Sequence, residues 1–350
     1  MNRFTTSLMT AGVAASVVLT GPGIATAEAA PQRVEILAEN PSNSIGEQAV
    51  KNQVNLGDSQ AGGFGGGINP YEPTDMSRYT PNTIIDDVNE CHRLKLDGYA
   101  TLVAVGMGNT LDDVACAGAT TADMFKSQWA GNSPDTYQPP QIERVTPDTR
   151  LVTIQIGAND ADFAKLVEKV VGDPLNPQDP NNQLTAESAE YVEAIRVLEE
   201  ELPQDLDKTY NAIEERAADD VTVVVNSYDD ILPESTTLPN GMPDLLNLCS
   251  PYMTEEELGL SRTFLQKLND VTRSAAERAG KKFKFVEPKE WFRVRDAVGL
   301  PEDACHPSAD AKAWSLRFKD VDPNSTNFSF HGTKSWHWSR AKAILQMLGR

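Results

Sequence analysis

The sequence predicts an α/β domain built on a mostly parallel sheet. Three observations carry that expectation: short apolar runs of strand length, amphipathic stripes at helical spacing, and the alternation of the two along most of the chain. Gln53-Val54-Asn55-Leu56 reads as a short strand that empties into Gly57-Asp58-Ser59 and a glycine cluster, Gly62, Gly63, Gly65, Gly66 and Gly67. A second short strand is expected near Asp112 to Ala115. Leu151 to Ile156, Val221 to Val225 and Phe283 to Val286 are nearly continuous apolar runs, as strands covered on both faces require. Between them, Tyr191, Ile195, Leu198 and Leu202 mark one helix face, and Leu206, Tyr210 and Ile213 mark another after Pro203. Leu265, Leu268, Val271 and Ala275 form a stripe that stops at Gly280, and Ala343, Ile344 and Leu348 belong to an amphipathic terminal helix. These stripes are core faces. Ligands of such a sheet bind beyond the C-terminal ends of its strands.

The 350 residues suffice to bury a large core, and 51 Asp+Glu against 31 Lys+Arg give a net charge of −20. That charge repels phosphate backbones and anionic headgroups, and no basic run offsets it, so no nucleic-acid partner is expected. Residues 1–29 carry a lone Arg3, an apolar run from Leu8 to Leu19, Gly21-Pro22-Gly23 and then Ala25-Thr26-Ala27 and Ala27-Glu28-Ala29. This is the pattern of a signal peptide with a small-residue cleavage site. The apolar run is too short to cross a hydrocarbon core of about 30 Å, and no later segment reaches the ~18 apolar residues a spanning helix needs. The mature chain is therefore expected to be secreted, extracellular or wall-associated, without a transmembrane segment. Residues 30–50 read as a polar arm or linker, and 51–350 as one domain.

Four cysteines in an exported chain point to disulfides, with three possible connectivities. Neighbouring pairs, Cys91 with Cys116 and Cys249 with Cys305, are the simplest. The alternative is zinc, suggested by Cys91-His92 and Cys305-His306, but adjacent side chains point apart and no C-x-x-C exists, so no metal is expected. The glycine cluster lacks both G-x-x-x-x-G-K-[ST] and G-x-G-x-x-G, which argues against a nucleotide; no cofactor is expected.

The segments just beyond the strands carry the chemistry. Gly57-Asp58-Ser59, Cys116-Ala117-Gly118-Ala119-Thr120 and Gly157-Ala158-Asn159-Asp160 should meet at one sheet edge. A hydroxyl, a glycine that admits close backbone approach and a neutral amide donor are what acyl transfer needs in a nucleophile and an oxyanion hole. A base is still required. Of the four histidines, His331 and His337 lie just before the terminal helix, from which a hydrolase can draw one. An α/β-hydrolase is disfavoured, because its serine sits in G-x-S-x-G after a middle strand and Ser59 follows the first.

In this order the blocks resemble the SGNH (GDSL) hydrolases, particularly their secreted actinobacterial esterase and lipase branch, over residues 50 to 350. Each motif is short, and their order carries the resemblance. Ala115 to Thr121 is similar to that branch's second block, and Cys91 stands where its first cysteine does. The resemblance implies a three-layer α/β/α sandwich on a mostly parallel five-stranded sheet, flavodoxin-like. It implies that Ser59 is the nucleophile, that the Ser59 amide, Gly118 and Asn159 form the oxyanion hole, and that His331 is the base.

One departure concerns the base. Many members carry D-x-x-H-P, whereas this chain has Phe328-Ser329-Phe330-His331-Gly332, so position 328 offers no carboxylate. Some members of the branch use a backbone carbonyl there, which implies that the Phe328 C=O holds the Nδ1 proton of a Ser-His dyad. Asp320 and Asp322 are rival orienters, and His337 is the rival base. His92 and His306 are assigned structural roles, and Asp58 and Asp160 are expected to fix their own turns.

The function implied is a secreted serine esterase or lipase that hydrolyses carboxylic esters through an acyl-enzyme. Its partner is a small-molecule or lipid ester, cell-envelope acyl esters included. Two other readings remain open at this level: an acyltransferase acting on envelope lipid or glycan acyl groups, and a non-catalytic glycan- or lipid-binding pseudo-enzyme. The loops Gly62 to Asn89 and Gly172 to Asn182 are expected to frame the pocket. Trp314, Trp336 and Trp338 are candidates for an apolar acyl slot.

Overall fold

Five parallel strands form the central sheet in a computed structural model of the chain. The structure describes residues 52–64, 91, 93–94, 96–129, 137–171, 183–230, 232–238, 240–242, 244, 247, 253–287, 303, 305 and 331–350. All of them belong to one unit, Ala49–Arg350. The expected signal at 1–29, the arm at 30–50 and most of the two expected pocket loops fall outside the described residues. So do His92, Cys249, His306, Trp314, Asp320, Asp322 and Phe328.

The strands are β1 (Asn52–Gly57), β2 (Thr110–Asp113), β5 (Thr149–Gln155), β6 (Thr222–Asn226) and β7 (Phe283–Val286), in the order β2-β1-β5-β6-β7. A separate antiparallel ribbon pairs β3 (Gln128–Trp129) with β4 (Tyr137–Gln138). Four strands fall where the apolar runs place them. The second begins earlier than expected, at Thr110, because it pairs Asn52 to Asn55 with Thr110 to Asp113 and frees Val114 and Ala115 for the loop beyond.

Parallel register puts Val54, Val152, Val223 and Phe283 in one row and Asn55, Thr153, Val224 and Lys284 in the next. The helices are α1 (Ser59–Gly62), α2 (Tyr99–Met107), α3 (Phe163–Val171), α4 (Ala189–Arg196), α5 (Leu202–Arg216), α6 (Glu255–Ala279) and α7 (Lys334–Met347). The Phe283 ring meets Tyr210 of α5 at 5.2 Å, so the valine row faces α5 and α6, which pack together. The Asn55 row faces α2 and α7: Tyr99 of α2 bonds Asn55 and Asn226. The result is the expected three-layer α/β/α sandwich.

Two details refine the helix readings. The stripes on either side of Pro203 merge, because a π turn at Val197–Glu201 carries α4 into α5 and widens the hydrogen-bond ladder where proline has no N–H to offer. In α6, Thr254 and Glu257 form a capping box, and Gly280 ends the helix.

Candidate active site

The turn that presents Ser59 is forced by Gly57. Its φ of +130° disfavours L side chains, and a Cβ there would lie 2.0 Å from the Gln155 carbonyl oxygen of β5. Gln141 clamps the same peptide: its Oε1 accepts from Gly57 N at 2.7 Å and its Nε2 donates to Gly57 O at 2.9 Å. Asp58 then caps α1, accepting through Oδ1 from Gln60 N at 2.9 Å and Ala61 N at 3.4 Å. Asn55 holds the end of that turn through a 3.0 Å bond to Ala61 O. Ser59, the first residue of α1, is presented half-buried at the edge of the sheet.

His331 meets it there. Its Nε2 lies 2.9 Å from Ser59 Oγ, and the Phe64 ring packs edge-on against the imidazole at 4.7 Å. The neighbouring Gly332 lies beneath Trp336, where a Cβ would come within 2.5 Å of the indole. Trp336 Nε1 donates to Asp229 Oδ2 at 2.6 Å, and Arg340 pairs with the same carboxylate at 2.5 Å, both charged groups being almost wholly buried. Arg340 also donates to Val286 O and Ser227 O, which fastens α7 to the ends of β6 and β7. The rival base His337 is buried against Tyr99 and Trp336, and it is the His331 imidazole that bonds Ser59. Burial and the nearby Arg340 push its pKa down to about 3, so it stays neutral.

The third and fourth groups come from neighbouring loops. Beyond β2, Cys116 N donates to Gly57 O at 2.9 Å, and Cys116 is disulfide-bonded to Cys91. Cys305 is also disulfide-bonded. Gly118 comes next with φ +75°, and no acceptor among the described residues takes its N–H or that of Ser59. Beyond β5, Asn159 Nδ2 donates to Ala119 O at 2.9 Å. That bond uses one of the two amide protons and orients the other.

A family profile described as "GDSL-like Lipase/Acylhydrolase family" matches residues 56–314. The chain belongs to this family. Ser59, Gly118 and Asn159 of this GDSL hydrolase lie within the matched span, and His331 lies beyond it, placed by the geometry. The chain is similar to a lipase of Streptomyces rimosus, 25% identical over 273 residues that cover 74% of this chain and 82% of the relative. In fold it is similar to phospholipase A1 from Streptomyces albidoflavus NA297, with a TM-score of 0.57 and 23% identity, over 86% of this chain and 99% of the other. The extracellular lipase of Streptomyces rimosus gives a TM-score of 0.56 at 24% identity, over the same 86% and 99%. As a lipase/acylhydrolase, the GDSL hydrolase is a carboxylic ester hydrolase. Among the described residues no helix is long and apolar enough to cross a membrane, and no cluster of His, Cys, Asp or Glu could hold a metal ion.

Several residues that shape the site of this GDSL hydrolase escape a reading of its motifs. Tyr228 donates its phenol to Asp58 Oδ2 and accepts from Ala158 N at 3.4 Å, so one side chain spans the neighbours of Ser59 and Asn159. Asn269 of α6 holds the Tyr228 backbone at both N and O. Burial outweighs these bonds at Asp58 and raises its pKa to about 7. Asp160 does not simply fix its own turn, as expected from its place after Asn159. It accepts from both the N–H and the hydroxyl of Thr121, tying the Asn159 loop to the Gly118 loop, and burial lifts its pKa to about 6. The signal for Tyr228 and Asp229 is their place: Ser227-Tyr228-Asp229 directly succeeds a buried strand at the ligand-binding edge.

Proposed function

We propose that this GDSL hydrolase is a secreted serine esterase that works through a Ser59-His331 dyad and an acyl-enzyme. The observation that carries this reading is the 2.9 Å approach of His331 Nε2 to Ser59 Oγ. His331 takes the hydroxyl proton as Oγ attacks the ester carbonyl carbon. The carbonyl oxygen gains the negative charge and is met by the Ser59 N–H, the Gly118 N–H and the second Asn159 Nδ2 proton. Collapse breaks the ester C–O bond, and the leaving alkoxide receives the proton from His331. A water, deprotonated by the same imidazole, then cleaves the acyl-Ser59 bond and releases the acid.

The preset donors support this reading: the two N–H groups have no protein acceptor among the described residues, and the Asn159 amide is already aimed. The backbone carbonyl of Phe328 is assigned to the Nδ1 proton, on the analogy with the family's secreted branch. The signal-like residues 1–29 and the disulfide-bonded cysteines fit export to an oxidising compartment. Hydrolysis of p-nitrophenyl butyrate by the mature protein tests the mechanism. Turnover should fall by several orders of magnitude in Ser59→Ala and in His331→Ala, and a fluorophosphonate should label wild type but not Ser59→Ala. Asp320→Asn and Asp322→Asn should leave turnover nearly unchanged; a collapse in either would replace the dyad with a carboxylate triad.

A further inference from the structure

The Gly118 N–H assigned to the oxyanion hole shares one planar peptide with the Ala117 carbonyl, and in a trans peptide the two point in opposite directions. Whatever grips Ala117 O therefore aims Gly118 N–H. Main-chain groups hold the neighbouring peptides of this loop: Ala117 N donates to Cys91 O at 3.2 Å, Ala119 N to Cys116 O at 3.0 Å and Cys116 N to Gly57 O at 2.9 Å. The Ala117–Gly118 peptide is held by a side chain instead. Gln128 Nε2 of β3 donates to Ala117 O at 2.8 Å, and no other group among the described residues bonds that carbonyl. Burial does not fix the peptide either, since Gly118 is exposed and Ala117 only half-buried. With φ at +75°, Gly118 has no side chain to resist rotation, and the nearest atom to a Cβ placed there, at 3.9 Å, is Gln128 Nε2 itself. At the other oxyanion amide the equivalent grip is built into α1, where Asp58 O, of the Ser59 peptide, accepts from Gly62 N at 2.9 Å. Completing the ribbon does not require the Gln128 amide. Its Oε1 is buried and meets no donor among the described residues, a cost that a methionine of the same length would not carry.

We infer that Gln128 is a positioning residue for ester hydrolysis, holding the Ala117–Gly118 peptide so that Gly118 N–H faces the developing oxyanion. The inference rests on the Ser59-His331 reading and adds a residue outside the blocks that carry the family resemblance. Gln128 touches no reacting atom and acts through the peptide. Its bond to Ala117 O also polarises that peptide, which strengthens the N–H at the other end as a donor. The oxyanion forms only as Ser59 attacks, so the benefit falls on the transition state and not on ester binding.

The test compares wild type with Gln128→Met, which keeps the length of the side chain and deletes its donor, on p-nitrophenyl butyrate. In the variant kcat should fall about tenfold to 100-fold, the range for a reacting group displaced by up to about 1 Å, with KM within about twofold of wild type. The midpoint of thermal unfolding should stay within about 2 °C, since water can meet the half-buried Ala117 carbonyl once the amide is gone. Gln128→Glu sets an acceptor against an acceptor at neutral pH and should lose kcat at least as far; it carries the test if the methionine variant does not fold. A kcat within about twofold of wild type overturns the inference, and so does a loss confined to KM. A kcat loss that tracks lost stability in both variants marks a structural role and overturns it as well. Backbone ¹⁵N relaxation reads the same grip without turnover. The order parameter of the Gly118 amide should be about 0.85 in wild type, as in rigid backbone, and below about 0.6 in Gln128→Met; equal values overturn the inference. If wild type turned over no ester at all, the Ser59-His331 reading would fall, and the order parameter alone would decide for Gln128.

Discussion

Replacing Tyr228 with phenylalanine deletes one oxygen and leaves the ring. That oxygen is the donor to Asp58 Oδ2 and the acceptor of the Ala158 N–H, 3.4 Å away, and both partners are buried. Each buried polar group left without a partner costs about 1–3 kcal/mol, and the long Ala158 bond belongs at the low end, so the loss should total about 2–4 kcal/mol. At about 2–4 °C per kcal/mol for a domain of this class, the midpoint of thermal unfolding should fall by roughly 4–16 °C. The two orphaned groups flank Ser59 and Asn159, and a misplacement near 1 Å costs on the order of 100-fold in rate, so kcat should drop between about tenfold and 100-fold. A pH dependence separates this strut from ordinary packing. Burial raises the Asp58 pKa to about 7, and the Tyr228 bond is the largest influence holding it from rising further. Stability from this group is full below the usual carboxylate range and is lost as pH climbs to about 7. Without Tyr228 that loss extends to higher pH. Calorimetry should therefore find a larger deficit in Tyr228→Phe at pH 8 than at pH 5. Equal midpoints and equal kcat at both pH values would refute the reasoning.

Three further outcomes are expected. Asn159→Ala removes one oxyanion donor and should lower kcat about 100- to 1000-fold with the fold intact, measured on a short p-nitrophenyl ester. Arg340→Met strands the buried Asp229 carboxylate and should cost about 3–5 kcal/mol in urea unfolding; adding Asp229→Asn should recover part of that loss. Wild type itself should melt higher as pH is lowered from 8 to 6.5, because Asp58 and Asp160, raised to about 7 and about 6, favour the protonated fold. Below 6.5 the rise should continue as Asp160 also protonates, held to a smaller slope by His337, which is kept neutral down to about 3 while the unfolded chain takes up its proton. A melting point independent of pH across this range would count against both assignments.

The parts of the molecule legible in the sequence are those where neighbours along the chain decide the outcome. Leu151 to Ile156 and Val221 to Val225 are strands because a run buried on both faces must be apolar throughout, and Gly57 is a turn because nothing larger clears Gln155 O. The hidden parts join residues far apart. Gln141 and Gly57, Tyr228 and Asp58, and Arg340 and Asp229 meet only after the sheet has brought their elements together, and no periodicity announces them. Asp160 is open to misreading for the same reason: a carboxylate after a strand satisfies a turn motif on paper, yet its partner Thr121 belongs to another loop. The polar row of Asn55 and Thr153 interrupts otherwise apolar strands because Thr153 donates to Asn55 Oδ1 and Tyr99 answers the same oxygen from α2, its hydroxyl accepting in turn from Asn226 of β6.

Ser59 stands at the end of the first strand and His331 is 272 positions further on, in the segment that the Arg340-Asp229 pair pins down. On the proposed mechanism, as the ribosome works through the message, the nucleophile and both loops that polarise the carbonyl emerge long before the proton acceptor. On that mechanism, a chain interrupted short of residue 331 would carry a serine with no means of ionising it. The cell that makes this hydrolase would then handle an inert polypeptide until α7 is complete and seated. Proteolytic trimming of that helix should disarm the hydrolase while sparing Ser59.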